Sequence, residues 1–246
     1  MKYKRVLLKL SGGALSKDER HGYTKEALEH IADEIIGAVN AGIEVAVVVG
    51  GGNLFRGRVA DEWHIERAEA DNIGMLATIM NSLMLRGALA AKGLEKVRVM
   101  TAIPINTVAE PYIRLKALKH LENGKVVIFG GGIGNPYVTT DYPSIQRAIE
   151  IRADVVLMAK EGVKGIYTDN PKDHPEAKRY KTVSYDEVIK NKLQVADQSA
   201  FILARDYKMP MYVFDFDEKD SVTRLCNGEN IGTYVGEECK TELYEE

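Results

Sequence analysis

Hydrophobic and polar positions along this chain follow two alternating periods. Residues 24–40 put Leu28, Ile31, Ile35, Ile36 and Val39 on one stripe, which predicts an amphipathic helix with Thr24 as N-cap and Gly42 as its stop. Short apolar runs at 5–10, 43–49, 97–101, 125–129 and 153–159 predict buried strands. Between them, helical spacing recurs over roughly 65–92, 112–123 and 142–152, and later over 184–190 and 199–208. Late strands are predicted at 211–214 and 233–235, with a helix near 219–226 between them. Strands that alternate with helices imply an α/β fold, a three-layer α/β/α sandwich around a mostly parallel central sheet. In such folds ligands sit at the carboxyl ends of the strands.

Length and composition narrow this picture. The chain has 246 residues, 45% apolar and 28% charged, enough for a sizeable core. No internal repeat or linker-like boundary interrupts it, so a single domain over 1–246 is expected, with 170–180 as its longest irregular stretch. No uninterrupted apolar run approaches the ~20 residues that cross a bilayer. The apolar segment at 6–8 is too short for a signal-peptide core, and Cys226 and Cys239 suggest neither a disulfide framework nor a metal site. A cytoplasmic protein without a membrane partner is expected. Net charge is −3, and the tail 237–246 alone carries five Glu against one Lys. Without a basic block, nucleic-acid binding is not expected.

Glycine changes the reading most. Clusters at 12–13, 50–52 and 130–134 each follow a strand-like run. Glycine at a strand end lets backbone N–H groups approach an anion, and a following helix adds its dipole. Lys9 can reach across a phosphate held by the N–H groups of Ser11, Gly12 and Gly13; it could also be a strand-edge lysine before a tight turn. Gly50, Gly51 and Gly52 are followed by Arg56, whose guanidinium can clamp a phosphate. The third cluster leads to Thr139, Thr140 and Asp141, either a ligand site or a capping arrangement. There is no GxxxxGK[ST] loop, no well-placed GxGxxG and no GxSxG elbow, and the five histidines are scattered. Hydrolase, redox and zinc chemistry therefore lose ground.

The motifs KLSG at 9–12, GGGNLFRG at 50–57, DNIGMLAT at 71–78, GNPYVTTD at 134–141 and GIYTDNP at 165–171 occur in order. Together they resemble the bacterial uridylate kinases, a branch of the amino-acid-kinase fold family, over nearly the whole chain. The resemblance implies an amino-acid-kinase-like fold and transfer of a phosphoryl group from ATP to UMP with Mg²⁺, a step of pyrimidine and CTP biosynthesis. It implies an acceptor-binding part over about 1–155 and an ATP-binding part over about 156–236. Matched by motif, Lys9, Leu10, Ser11, Gly12, Gly52 and Arg56 would hold ATP phosphates, with Glu161, Tyr167 and Asn170 near the adenine nucleotide. Gly51, Asp71, Ile133, Gly134, Asn135, Pro136, Tyr137, Val138, Thr139 and Thr140 would hold UMP. Asp141 and Asp197 are candidates for orienting Lys9 or the metal; Asp197 could instead cap the helix after it. No protein metal ligand is assigned, because Mg²⁺ would ride mainly on the ATP phosphates.

The chain departs from the family pattern in several places. Gly13 stands for a usual Glu, Ile133 for a common Thr and Lys164 for an Asp; Glu161 and Asn170 replace an amide or hydroxyl residue and an Asp. The loop 17–22 is charged where the family is glycine-rich, so the GTP activation that the resemblance implies is expected to be weak; UTP is implied as an inhibitor. Lys9→Ala is expected to impair turnover and spare folding. The competing readings are a kinase of the same fold acting on a carboxylate or carbamate, and a non-catalytic nucleotide-binding protein. In 73–89 the apolar positions spread beyond one ordinary stripe, so a homo-oligomer is expected, and the resemblance makes it a hexamer.

Overall fold

The computed structural model describes residues 1–17, 22–171, 173–193, 195–237 and 239–245. Strand β1 (Arg5–Leu10) leads through a 3-10 turn at Gly13–Leu15 to helix α1 (Lys25–Asn40) and β2 (Glu44–Val49). Helices α2 (Gly57–Glu62) and α3 (Arg67–Ala91) precede β3 (Val97–Thr101), β4 (Glu110–Pro111), α4 (Arg114–Glu122) and β5 (Val126–Gly130). Then follow α5 (Asp141–Glu150), β6 (Val155–Lys160), β7 (Tyr180–Ser184), α6 (Tyr185–Lys190) and α7 (Gln198–Asp206). The chain closes with β8 (Met211–Asp215), α8 (Ser221–Cys226), β9 (Thr233–Gly236) and β10 (Glu242–Leu243).

The strands form one sheet in the order β10-β7-β9-β8-β6-β1-β2-β5-β3-β4. Among the described strands, β8–β9 and β10–β7 pair antiparallel and the rest parallel. Alternation along each strand divides the core into two. Val6, Leu8 and Leu10 of β1, with Leu157 of β6, pack under α1, α8 and the far half of α3. Leu7 of β1 and Val156 and Met158 of β6 pack on the other face, against α4, α5, α6 and α7. Helices therefore cover both faces of a mostly parallel sheet, as the alternating pattern predicts.

The core elements lie within a few residues of their predicted bounds. Thr24 accepts the Ala27 N–H as N-cap of α1, and Gly93 and Gly124 follow the ends of α3 and α4. The pattern missed α2, β4, β7 and β10. These are short, and the strands among them lie on or near the sheet edges, where burial on one side only leaves a weak apolar signature. The stretch expected to be irregular ends in β7, and the acidic tail supplies β10, which pairs with it. Helix α3 is, by length and composition, apolar enough to cross a membrane, although polar residues interrupt its apolar positions. Here Leu85 and Leu89 lie buried against the sheet.

Candidate active site

Parity along β1 decides where Lys9 points. Its side chain continues the Leu7 face, toward the first turn of α5. Its Nζ lies 2.7 Å from Asp141 Oδ1, with the two side chains 9% and 15% exposed. Asp141 Oδ2 accepts the Asp197 N–H at 3.2 Å, and Asp197 in turn accepts the Thr139 hydroxyl. Asp197 occupies the N-cap position of α7, yet its side chain caps nothing there. β1 and the starts of α5 and α7 thus meet through side chains at one point. Burial alone would raise the Asp141 carboxyl. Lys9 first, then Lys160 and the Asp197 N–H, outweigh burial and hold it below the usual carboxylate range.

The two phosphate-type turns are built against each other. A Cβ on Gly12 would fall 2.3 Å from Gly52 N and 2.8 Å from Asn53 N, so only glycine allows this approach. Buried Asn81 of α3 fixes the second turn: its Nδ2 donates to Gly50 O at 2.6 Å and to Asn53 Oδ1 at 2.7 Å. Ser11 Oγ donates to Glu161 Oε1 at 2.5 Å and accepts the Ala14 N–H at 3.2 Å. Glu161 Oε2 lies 2.8 Å from where a Gly13 Cβ would stand. The departures at 13 and 161 are therefore linked in space: the carboxylate of Glu161, just after β6, fills room that a side chain at 13 would need. Arg56 is exposed at the start of α2, its Nε donating to Gly52 O at 3.0 Å.

Beside these turns lies a cavity of about 400 Å³ whose walls include Gly51, Gly52, Asp71, Thr78, Phe129, Val138, Thr139 and Thr140. Asp71 is not merely solvated. It accepts from Arg67 Nε at 2.9 Å and from the Tyr137 N–H at 2.7 Å, tying α3 to the third glycine loop. Thr78 Oγ1 accepts the Gly131 N–H at 2.8 Å, and Arg147 donates to Gly132 O at 3.2 Å. Ile133, Gly134, Asn135, Pro136 and Tyr137 belong to the same loop but do not line the cavity.

Around the residues expected near the adenine nucleotide the geometry is looser. Glu161 lines a second cavity of about 380 Å³, with Lys17, His30 and Asp217. Tyr167 bridges to Arg179, and Asn170 Nδ2 donates to Asp173 at 2.5 Å. Residues 18–21 of the charged loop lie outside the described residues. Among the described residues no group of three His, Cys, Asp or Glu could hold a metal. Asp141 is paired with Lys9, which leaves Asp197 as the freer carboxylate. Such a donor set fits Mg²⁺ arriving on nucleotide phosphates and taking one or two carboxylates, not a dedicated cage.

The sequence profile of the amino acid kinase family matches residues 4–215. A uridylate kinase of Frankia alni is 55% identical over 234 residues, 95% of this chain and 91% of the relative. The chain belongs to the uridylate kinases of the amino acid kinase family. The crystal structure of UMP kinase from Bacillus anthracis superposes with a TM-score of 0.97 at 55% identity, covering 100% of both chains. That from Ureaplasma parvum gives 0.90 at 31% identity, covering 96% of this chain and 100% of the other. For a uridylate kinase the sequence reading omitted three supports: Asn81, Arg147 and Lys160. Asn81 was visible as a polar residue inside an apolar helix. Lys160, at the end of the 155–159 apolar run, is the strand-final position that most resembles Lys9. Its Nζ donates to Val195 O at 2.5 Å.

Proposed function

We infer that this protein transfers the γ-phosphoryl group of ATP to UMP, giving ADP and UDP. The observation that carries the reading is the cavity bounded by Asp71, Thr139 and Thr140, set against the Gly50–Gly52 turn beside the Lys9–Asp141 pair. UMP fits the cavity side, and ATP the side of β6 and β8. An oxygen of the UMP phosphate forms the new bond to the γ-phosphorus; the bond to the β–γ bridging oxygen breaks and its electron pair leaves with ADP. The attacking phosphate is already anionic, so no general base is needed, and alignment with charge neutralisation is the task. Lys9, held by Asp141, is aimed between donor and acceptor, and the N–H groups of the paired turns add preorganised donors. Arg56 adds an exposed cation at the start of α2. Mg²⁺, held by the ATP phosphates and Asp197, would supply further neutralisation of phosphate charge.

Asp71 weighs against a carboxylate or carbamate acceptor, since it puts a negative group in the acceptor cavity, balanced among the described residues by Arg67 and one N–H. It suits instead a neutral acceptor portion bearing donor groups, such as a ribose. The test is ADP release with UMP, CMP, aspartate, glutamate and carbamate. UMP should be preferred, with CMP at least about tenfold lower in kcat/KM, because polar groups matched to uracil are left unpaired by cytosine. Equal rates with UMP and CMP, or preference for a carboxylate, would overturn the reading.

The proposal extends to the acceptor part at about 1–155 and ATP part at about 156–236, and to a homohexamer in the cytoplasm. The unpaired Cys226 and Cys239 suit that compartment. GTP is proposed as a weak activator and UTP as an inhibitor. A several-fold rate increase with GTP at saturating ATP would refute the weakness.

A further inference from the structure

Two lysines end adjacent parallel strands on the same face of the sheet. Lys9 pairs in register with Met158, and Lys160 follows Met158 by two residues, so both side chains continue one face. The Lys9 charge is met by Asp141 at 2.7 Å. Lys160 has no carboxylate at salt-bridge distance among the described residues, and its hydrogen bond goes to a neutral carbonyl, Val195 O. Its register partner on β8, Asp215, turns Oδ1 to the N–H groups of Gly162 and Asp217. Burial first, and then the Lys9 charge, push the Lys160 ammonium below its usual pKa; Asp141 and Glu161 offset this only in part. An ammonium so placed is stabilised by an anion.

The topology says which anion. The acceptor cavity lies over β2 and β5, where Val48, Val49 and Phe129 form its wall. β6 is on the opposite side of β1. We infer that Lys160 is a second phosphate cation of the site, contacting the terminal phosphates of the donor nucleotide on the leaving-group side of Lys9. The inference rests on the ATP and UMP reading above. As the γ-phosphorus leaves the bridging oxygen for the UMP oxygen, negative charge grows on the ADP side, where Lys160 adds a second cation beside Lys9. The Val195 carbonyl holds the ammonium at this place before the nucleotide arrives.

Three variants separate charge from tether. Lys160→Gln keeps a donor for Val195 O without charge, Lys160→Arg keeps the charge, and Lys160→Met keeps neither. Steady-state kinetics with UMP and titration with a non-hydrolysable ATP analogue are measured on each, with thermal unfolding as control. Expected is a kcat loss of roughly 10²-fold in Lys160→Gln and Lys160→Met, the scale of one preorganised donor or cation. KM for ATP and the analogue's Kd should rise several-fold while KM for UMP stays within about twofold, and Lys160→Arg should recover most of the rate. Lys160→Gln at wild-type kcat and analogue affinity would overturn the inference in favour of a tether. So would equal impairment in Lys160→Arg and Lys160→Met, with both KM values raised alike. If Lys160→Met fails to fold, the Gln and Arg pair still decides. Wild-type enzyme inactive on UMP would defeat the functional reading instead, and the analogue titration would still test Lys160.

Discussion

At the scale of single residues, the Lys9–Asp141 pair is a buried structural contact as well as the proposed phosphate cation and its holder. From the sequence, Lys9 is a strand-end residue whose loss is expected to spare the fold. Burial of both partners corrects that, because truncating one leaves a buried charge poorly compensated. Lys9→Ala should cut turnover by roughly 10²–10³. It should also cost about 2 kcal/mol of stability, below the full penalty for an orphaned carboxylate because the Asp197 N–H and Lys160 stay nearby. Unchanged turnover in a folded variant would remove Lys9 from the phosphate site; unchanged stability in urea would restore the simpler view. Asp141 adds a pH dependence. Its folded pKa lies below the unfolded one, so its stabilisation is full above about pH 4 and is lost as pH falls through the folded value. Between pH 5 and pH 2, Asp141→Asn should therefore lose less stability than the wild type; equal losses would contradict the pairing. Glu161 offers a second test. Gly13→Glu should raise KM for ATP several-fold by setting a carboxylate against Glu161, and Glu161→Asn in the same chain should relieve it. Two independent, additive effects would mean that the residues do not share that space.

At the scale of elements, the sequence was legible wherever burial imposes a period. β1, β2, β5 and β6 lie in the middle of the sheet, covered on both faces, and each reads as an apolar run. α1 and α5 read from their stripes. What sequence could not supply is pairing across distance. Gly12 reads as a turn residue, but its contact with Gly52 belongs to two segments forty residues apart. Asp71 was assigned by motif, and only the fold shows that it fastens α3 to the loop after β5 through the Tyr137 N–H. That fastening makes a prediction about elements. Asp71→Asn weakens the grip on the loop as well as the acceptor site, and should raise KM for UMP several-fold more than KM for ATP. The reverse order would assign Asp71 to the donor side. Short edge strands stay hidden for the opposite reason: β10 is two residues of an acidic tail, and only its partner β7 makes it a strand.

At the scale of the whole molecule, α3 poses a problem that a single chain leaves open. Its apolar residues face two ways. Met75, Ile79, Leu85 and Leu89 are buried within the chain, while Ile73, Leu76, Met80 and Met84 remain 39%, 46%, 56% and 39% exposed. The exposed set is spaced three, four and four residues apart, which forms one continuous stripe along the helix. Other helices of the same chain could have covered this stripe, but α1 and α2 pack elsewhere on α3 and leave it open. A contiguous apolar strip of this kind is rarely left in water, and a twofold-related copy is the simplest cover, since the same surface then serves both partners. Helix α3 also carries Asp71, Thr78 and Asn81, which hold the acceptor cavity and the second glycine turn. Assembly through the exposed stripe would thus stiffen the element on which the acceptor site is mounted. Replacing Met80 and Met84 together by Glu places like charges across such a contact and should dissociate the assembly, with KM for UMP rising more than KM for ATP. Light scattering reads the first effect: a 27.3 kDa particle for the wild type at micromolar concentration would refute the oligomer, and a stable dimer would refute the hexamer. Kinetics read the second, because a dissociated variant with unaltered KM for UMP would show that the stripe serves assembly alone.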